Sequence, residues 1–193
     1  MAPPPGLVDA AKGSRARADV VVRPVRMDRW DEEIAKACDV MNASLAEVEG
    51  HVPVSQAEFA ALARQFKTIL DPRILLFAEC QGQVVGFALL LPEVNEVLAH
   101  LGGRLFPFGW LKAWWYGRRI RTVSFKIAGV LPAHRKGGLA ARLAIEASLA
   151  AQAIGYRRME MSVVNESNRR MRDFIELQGA KPYLRYRLYR RAV

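Results

Sequence analysis

A chain of 193 residues fits one domain with a sizeable core and is too short for two ordinary ones. Its 51% hydrophobic and 25% charged residues are a globular composition, and no run approaches the ~18 apolar residues of a membrane-spanning helix. The net charge of +10 is uneven: residues 1–100 hold 10 Lys+Arg against 14 Asp+Glu, and residues 101–193 hold 19 against 5. The second half therefore has the balance to meet an anion, whether nucleic acid, an acidic membrane surface or a phosphorylated cofactor, and charge alone does not choose among them.

The amino terminus, MAPPPGLVDAAKGSRARAD, has no apolar h-region and is not a secretory signal. Residues 1–19 are expected to form a disordered tail ahead of a single domain over 20–193. Cys38 and Cys80 match no metal or redox spacing and are expected as free thiols in a reducing cytoplasm. Three separated histidines make no metal site, so no metal is expected.

Residues 20–26 read as a first strand, with Pro24 suited to an edge position. Over 30–47, Ile34, Ala37, Cys38, Met41 and Leu45 fall at helical spacing. Ser55-Gln56-Ala57-Glu58 is a capping-box pattern ahead of a helix to about Phe66. Two apolar runs, 74–80 and 83–91, joined by Gln81-Gly82, predict a hairpin of well-buried strands. An insert at about 95–121 follows, aromatic and basic in its later part, with a short helix in EVNEVLAHL. Residues 122–130 read as a strand, 132–137 as a loop, and 138–154 as an Ala- and Leu-rich helix closed by Gly155. A strand over 157–164, a helix over about 168–178 and a terminal strand in YLRYRLYR complete a mixed α/β layout around one sheet.

The chemistry concentrates in VLPAHRKGGLAARL. A strand ends at Val130 and a helix starts near Gly138. The first turn of a helix offers unpaired N–H groups and the positive end of its dipole. Gly137 and Gly138 let a phosphate approach the backbone without a Cβ in the way, and Arg135 and Lys136 add charge. A pyrophosphate-bearing ligand satisfies all three features; an ordinary β–α turn with exposed bases satisfies them too. The segment is neither a P-loop nor a GxGxxG fingerprint.

Arg135, Gly138 and Ala140 after a strand resemble the R-x-x-G-x-A pyrophosphate motif of the GNAT acetyltransferase superfamily. Asn168, Met171, Phe174, Ile175 and Gly179-Ala180 follow the spacing of its later N-x-x-A-x-x-F-Y-x-x-x-G-F pattern, and VVGFALLLP resembles the strand before its central one. The likeness covers about residues 20–191. HVPVSQAEF, LLPEVNEVL, GGRLFPFG and GAKPYLRYRLYRR resemble a bacterial subgroup of that superfamily.

The resemblance implies the GNAT fold, a central mixed sheet flanked by helices. It implies acyl transfer from acetyl-CoA or a related acyl-CoA to an amine by direct attack on the thioester. It places the cofactor along Ala128 to Val130, Arg135, Lys136, Gly137, Gly138, Leu139 and Ala140, with Asn168 as a further contact to the CoA arm. An N–H near Val130 would stabilise the tetrahedral oxyanion. The family's usual tyrosine acid is replaced here by Ile175, which leaves Tyr186, Tyr183 or water to protonate the departing thiolate, or marks a loss of catalysis. No acid lies on 122–130, so the base is sought nearby. Glu93, with Asn95 two residues on, lies where a substrate would enter. Glu160 shares a strand face with Ser162, and burial there would raise its pKa toward that of a working base. An ion pair with an arginine is the plain alternative for Glu160. Glu93, Glu160 and Tyr186 are the candidate catalytic residues, and Asn95 and Ser162 the candidate substrate contacts.

The segment LFPFGWLKAWWYGRRIR holds three of the four tryptophans beside three arginines. It reads as a helix packed on the domain or on a second subunit, as a lid over an apolar acyl group, or as a peripheral membrane contact. Two rivals to the enzyme remain: an acyl-CoA-binding protein without catalysis, and a nucleic-acid-binding protein. The chain has no helix–turn–helix or zinc-finger pattern, and a nucleic-acid partner is not expected.

Overall fold

The computed structural model describes residues 3–15, 19–48, 51–102, 106, 108–161, 163–187, 189 and 191. Five strands form one sheet in the order β1 (Val20–Pro24), β2 (Leu75–Cys80), β3 (Gln83–Pro92), β4 (Thr122–Val130) and β5 (Arg158–Met161). The first four pair antiparallel and β5 pairs parallel to β4. A parallel neighbour requires a crossover, which the Ala-rich helix over Leu139–Ile154 supplies.

Both faces of the sheet are covered, which is why β2 and β3 read as near-continuous apolar runs. Leu75 and Phe77 pack under α2 (Trp30–Leu45) and α3 (Gln56–Lys67), while Leu76, Ala78 and Cys80 pack toward the crossover helix. The helical stripe of α2 is buried at Ile34, Ala37, Cys38 and Met41. The capping box of α3 is formed: Ser55 accepts from the Glu58 N–H, and the Glu58 carboxylate accepts from the Ser55 N–H at 3.1 Å. Pro24 lies on the edge strand, as its missing donor requires.

Three sequence expectations are corrected. Residues 5–15, expected within a disordered tail, form helix α1 (Pro5–Arg15). Its Leu7 and Ala11 lie one turn apart and bury against Ala141 and Ile145 of the crossover helix. The composition of Pro, Gly, Ala and Arg concealed that short stripe. The strand expected over 157–164 is shorter, and Ser162 lies outside the described residues. The terminal segment YLRYRLYR forms no strand over 183–187, its first five residues, which stand exposed despite their alternation. Alternation specifies a strand only where a neighbouring edge accepts it.

The insert between β3 and β4 holds two helices, α4 (Asn95–Leu101) and α5 (Gly109–Gly117). The crossover helix is α6 (Leu139–Ile154), and the late helix is α7 (Arg169–Leu177).

Candidate active site

β4 outruns its parallel neighbour. Thr122 to Phe125 pair with Arg158 to Met161, but residues 126–130 continue along β3 with no described partner on the β5 side. The β3–β4 register shifts between Leu89 and Leu90, which leaves Lys126 as the extra residue of a bulge. The Leu131 N–H donates to Val85 O on the β3 side at 2.9 Å. Strand alternation then turns the Val130 N–H and C=O the other way, toward the opening, and the Ala128 groups with them. The Arg135 Nε–H donates to Val130 O at 3.4 Å, in keeping with that direction.

At one end of the opening lies the glycine loop. Gly137 and Gly138 have φ of +116° and +80°, left-handed values that favour glycine. A Cβ on Gly137 would meet nothing within 4 Å, whereas one on Gly138 would fall 1.7 Å from Ala10 O of α1. The close approach that Gly138 permits is thus used here by the α1 backbone. A pocket of about 10 Å³, room for about one water, lies beside it, lined by Ser14, Val20, His134, Lys136, Gly137 and Leu139. Ser14 is only 2% exposed, and its Oγ, like the buried His134 Nδ1, has no hydrogen-bond partner among the described residues. Orphaned buried polar atoms beside a lysine and a helix start fit a small anionic or polar group. Leu139 is core and Ala140 is exposed.

Arg135 does not face that pocket. Its guanidinium donates to Glu47 at 2.6 Å and to the Ser44 carbonyl, bracing the loop against the C-terminal end of α2. Lys136 is the basic side chain of the motif that lines the pocket.

At the other end, two acids and two phenols come near one another. Glu160 stands in register with Ser124 of β4. Tyr183 lies within electrostatic reach of Glu160, Tyr186 and Glu93. Its phenol is held above its ordinary pKa, first by partial desolvation and then by the Glu160 carboxylate. Glu93 accepts from Asn95 Nδ2 at 2.6 Å and lies 3.9 Å from the Lys126 ammonium. Asn95, a candidate substrate contact, is therefore engaged by Glu93. The structure brings Glu93, Glu160 and Tyr186 into one neighbourhood, with Tyr183 as the residue that joins them.

Asn168 caps α7 itself: its Oδ1 accepts from the Met171 N–H at 3.1 Å. Asn165, just upstream, accepts from Ser167 N and Oγ. Ile175 and Phe174 are half-buried, and Phe174 packs against the seam of α1 and α6. Sequence inspection missed one feature, a cavity of about 50 Å³ between α2, α3 and the sheet. Its lining is wholly apolar and includes Trp30, Phe59, Phe66, Leu89 and Ile127, the last beside the bulge.

A five-stranded mixed sheet with a glycine-rich loop between strand and helix defines an acyltransferase-type fold. Residues 39–180 match the acetyltransferase (GNAT) family, and the chain belongs to it. It is 32% identical over 180 residues to a protein of Caulobacter vibrioides named bacterial ceramide synthase, covering 90% of this chain and 47% of that protein. It is 33% identical over 187 residues to protein YghO of Escherichia coli, covering 93% and 47%. The chain thus spans about half the length of the curated relatives it matches. Among solved structures, the aminoglycoside N-acetyltransferase AAC(6')-Iy in complex with CoA superposes with a TM-score of 0.58 at 18% identity, covering 90% of this chain and 95% of that one. A GNAT family acetyltransferase of Brucella melitensis in complex with acetyl-CoA gives 0.52 at 19% identity, covering 80% and 82%. These two are likenesses of fold.

Proposed function

We propose that the chain transfers an acyl group from an acyl-CoA to the primary amine of an amphipathic, lipid-like acceptor. The observation that carries the acyl transfer is the opening along residues 126–130 of β4, with an anion-suited loop at one end and an acid–phenol cluster at the other. CoA supplies the thioester. Lys136 and the Gly137–Ala140 backbone would hold its pyrophosphate, and Ala128 to Val130 would pair with its arm. Because Ala10 lies against Gly138, α1 must shift for a pyrophosphate to reach that glycine.

Glu160, or Glu93 through water, takes the proton of the acceptor ammonium. The neutral nitrogen attacks the thioester carbonyl, and the Val130 N–H receives the oxyanion. The C–S bond then breaks, and Tyr183 gives its proton to the departing thiolate. A phenol held above its ordinary pKa stays protonated at neutral pH, as an acid must. Tyr183 takes the role here because it is the phenol whose pKa partial desolvation and the Glu160 carboxylate raise.

The acceptor class rests on the relatives. A ceramide is the fatty amide of a long-chain amino alcohol, and the protein with that name is nearer in sequence than the aminoglycoside enzyme. The apolar cavity ending at Ile127 adds a carbon-lined surface beside the bulge.

The test has two arms. Calorimetry with CoA compares the wild type with Lys136→Glu, and weaker binding by the variant is expected; equal binding removes the loop assignment. Thiol release is then followed with short- and long-chain acyl-CoAs against a long-chain amine and an aminoglycoside. Release with the long-chain amine is expected. Release with the aminoglycoside alone overturns the acceptor class, and binding of CoA without release to any amine overturns catalysis.

A further inference from the structure

Helix α5 leaves its largest side chains in solvent. Trp110, Trp114 and Trp115 are 63%, 52% and 50% exposed, and Phe106 just before the helix is 88% exposed. At the helical repeat of 3.6 residues per turn, Trp110, Leu111, Trp114 and Trp115 fall within a sector of about 140°. The opposite side, with Tyr116 stacked on His100 at 4.1 Å between ring centroids, holds α5 to α4. The apolar stripe is therefore turned away from the domain by the packing of the helix itself.

The stretch of chain that carries this stripe has charge of one sign. From Val97 to Ile145 the chain contains no Asp or Glu and nine Lys or Arg. The Arg118 guanidinium lies 3.8 Å from the Trp114 ring centroid and that of Arg119 lies 4.3 Å from Trp115, while Lys112 is exposed on the flank. Indoles with cations at their edge suit the boundary between hydrocarbon and headgroups, and basic residues near an anionic leaflet each add to the attraction. The helix has 9 residues, a length of about 14 Å, which cannot cross the ~30 Å hydrocarbon core but can lie along it.

We infer that α5, with Phe106 and Phe108, docks this protein on an anionic lipid bilayer, indoles at the interface and arginines among the headgroups. A second copy fits the surface less well. An isologous contact would place the arginines beside these indoles against their own copies, and like charges would face each other. The docking also bears on access to the site. α4, which carries α5, begins two residues after Glu93, and its Glu96 accepts from Arg121 N at 3.0 Å and pairs with Arg158 at 3.2 Å. The membrane-facing helix and the acid–phenol cluster are thus tied to the same end of β4. This docking is read from α5 alone and does not depend on acyl transfer.

The experiment uses the full chain with phosphatidylcholine vesicles, with and without phosphatidylglycerol. Three of the four tryptophans lie on α5, so indole fluorescence reports chiefly on that helix. Cosedimentation with the anionic vesicles, a blue shift and quenching by brominated lipid are expected, with weaker binding in high salt. Trp114→Ser with Trp115→Ser, and separately Arg118→Glu with Arg119→Glu, are each expected to lower partitioning about tenfold or more. Circular dichroism should stay unchanged, since these side chains are exposed. Failure of the wild type to sediment overturns the inference, as does equal binding by folded variants. So does a wild-type dimer, seen by ultracentrifugation without lipid, that the tryptophan variant dissolves, because the stripe is then a homodimer seam. Binding to duplex DNA in place of the anionic vesicles would equally overturn it.

Discussion

The two ends of the β4–β5 opening carry short helices of opposite character. At the loop end, α1 buries Leu7, Ala11 and Ser14, and its small residues let the backbone touch Gly138. At the acid end, α4 holds α5 with its indoles outward. Small side chains allow a helix to approach another backbone and seal it. The three tryptophans of α5 stay half or more exposed, and that face is left for another surface. The loop end is thus covered from within the chain, and the acid end faces outward.

The largest effect should fall on the acid end. Tyr183→Phe is expected to lower kcat by about 100-fold or more, the usual weight of a general acid, while CoA binding by calorimetry stays unchanged. The wild-type rate should fall at alkaline pH as the phenol ionises, and because its pKa is raised the fall should begin above the ordinary tyrosine range. An unchanged alkaline limb in the Phe variant would transfer the role to Tyr186 or water. At the loop end, Lys136→Glu replaces a favourable charge by an unfavourable one and should weaken CoA binding by about 10- to 100-fold, without altering vesicle binding.

The third prediction separates a cover from a fixed wall. Leu7→Ala should cost α1 about 2–3 kcal/mol of docking free energy. If α1 must move for CoA, apparent CoA affinity should rise about tenfold as the open population grows. Hydrogen exchange in residues 7–14 should quicken alongside it. Unchanged affinity with quickened exchange would show that the pyrophosphate avoids Gly138. The smallest effect belongs to α5: Trp114→Ala should change stability in water by no more than about 0.5 kcal/mol. A loss comparable to Leu7→Ala would mean that α5 is buried in solution and would erase the contrast.

The sheet, the capped helix α3, the β2–β3 hairpin and the crossover helix α6 were legible in the residues because each depends on periodicity or on caps within a few positions. Glu93, Glu160 and Tyr186 were nameable as chemistry-bearing types near expected strand ends. Their convergence through Tyr183 was not, since it depends on where an exposed terminal segment lies against β5. Arg135 shows the same limit in the other direction. The motif spacing pointed it at a phosphate, yet it reaches Glu47, 88 positions away in the chain. Gly138→Glu, an obvious substitution on sequence grounds, is also a poor probe of CoA, because a Cβ there already meets Ala10 of α1.

The order and type of the main elements, the glycine loop at a helix start and the membership of a family of acyltransferases follow from the residues alone. Those are properties of local spacing, which the chain states directly. Packing alone settles that α1 lies over the loop, that the terminal alternation forms no strand over 183–187, that Tyr183 comes within electrostatic reach of Glu160, and that the aromatic stripe of α5 faces outward. Each of these turns on which distant surfaces meet and how large their side chains are. A period of two or of 3.6 residues says which face an element would bury, and only the packed neighbours say whether anything is there to bury it against.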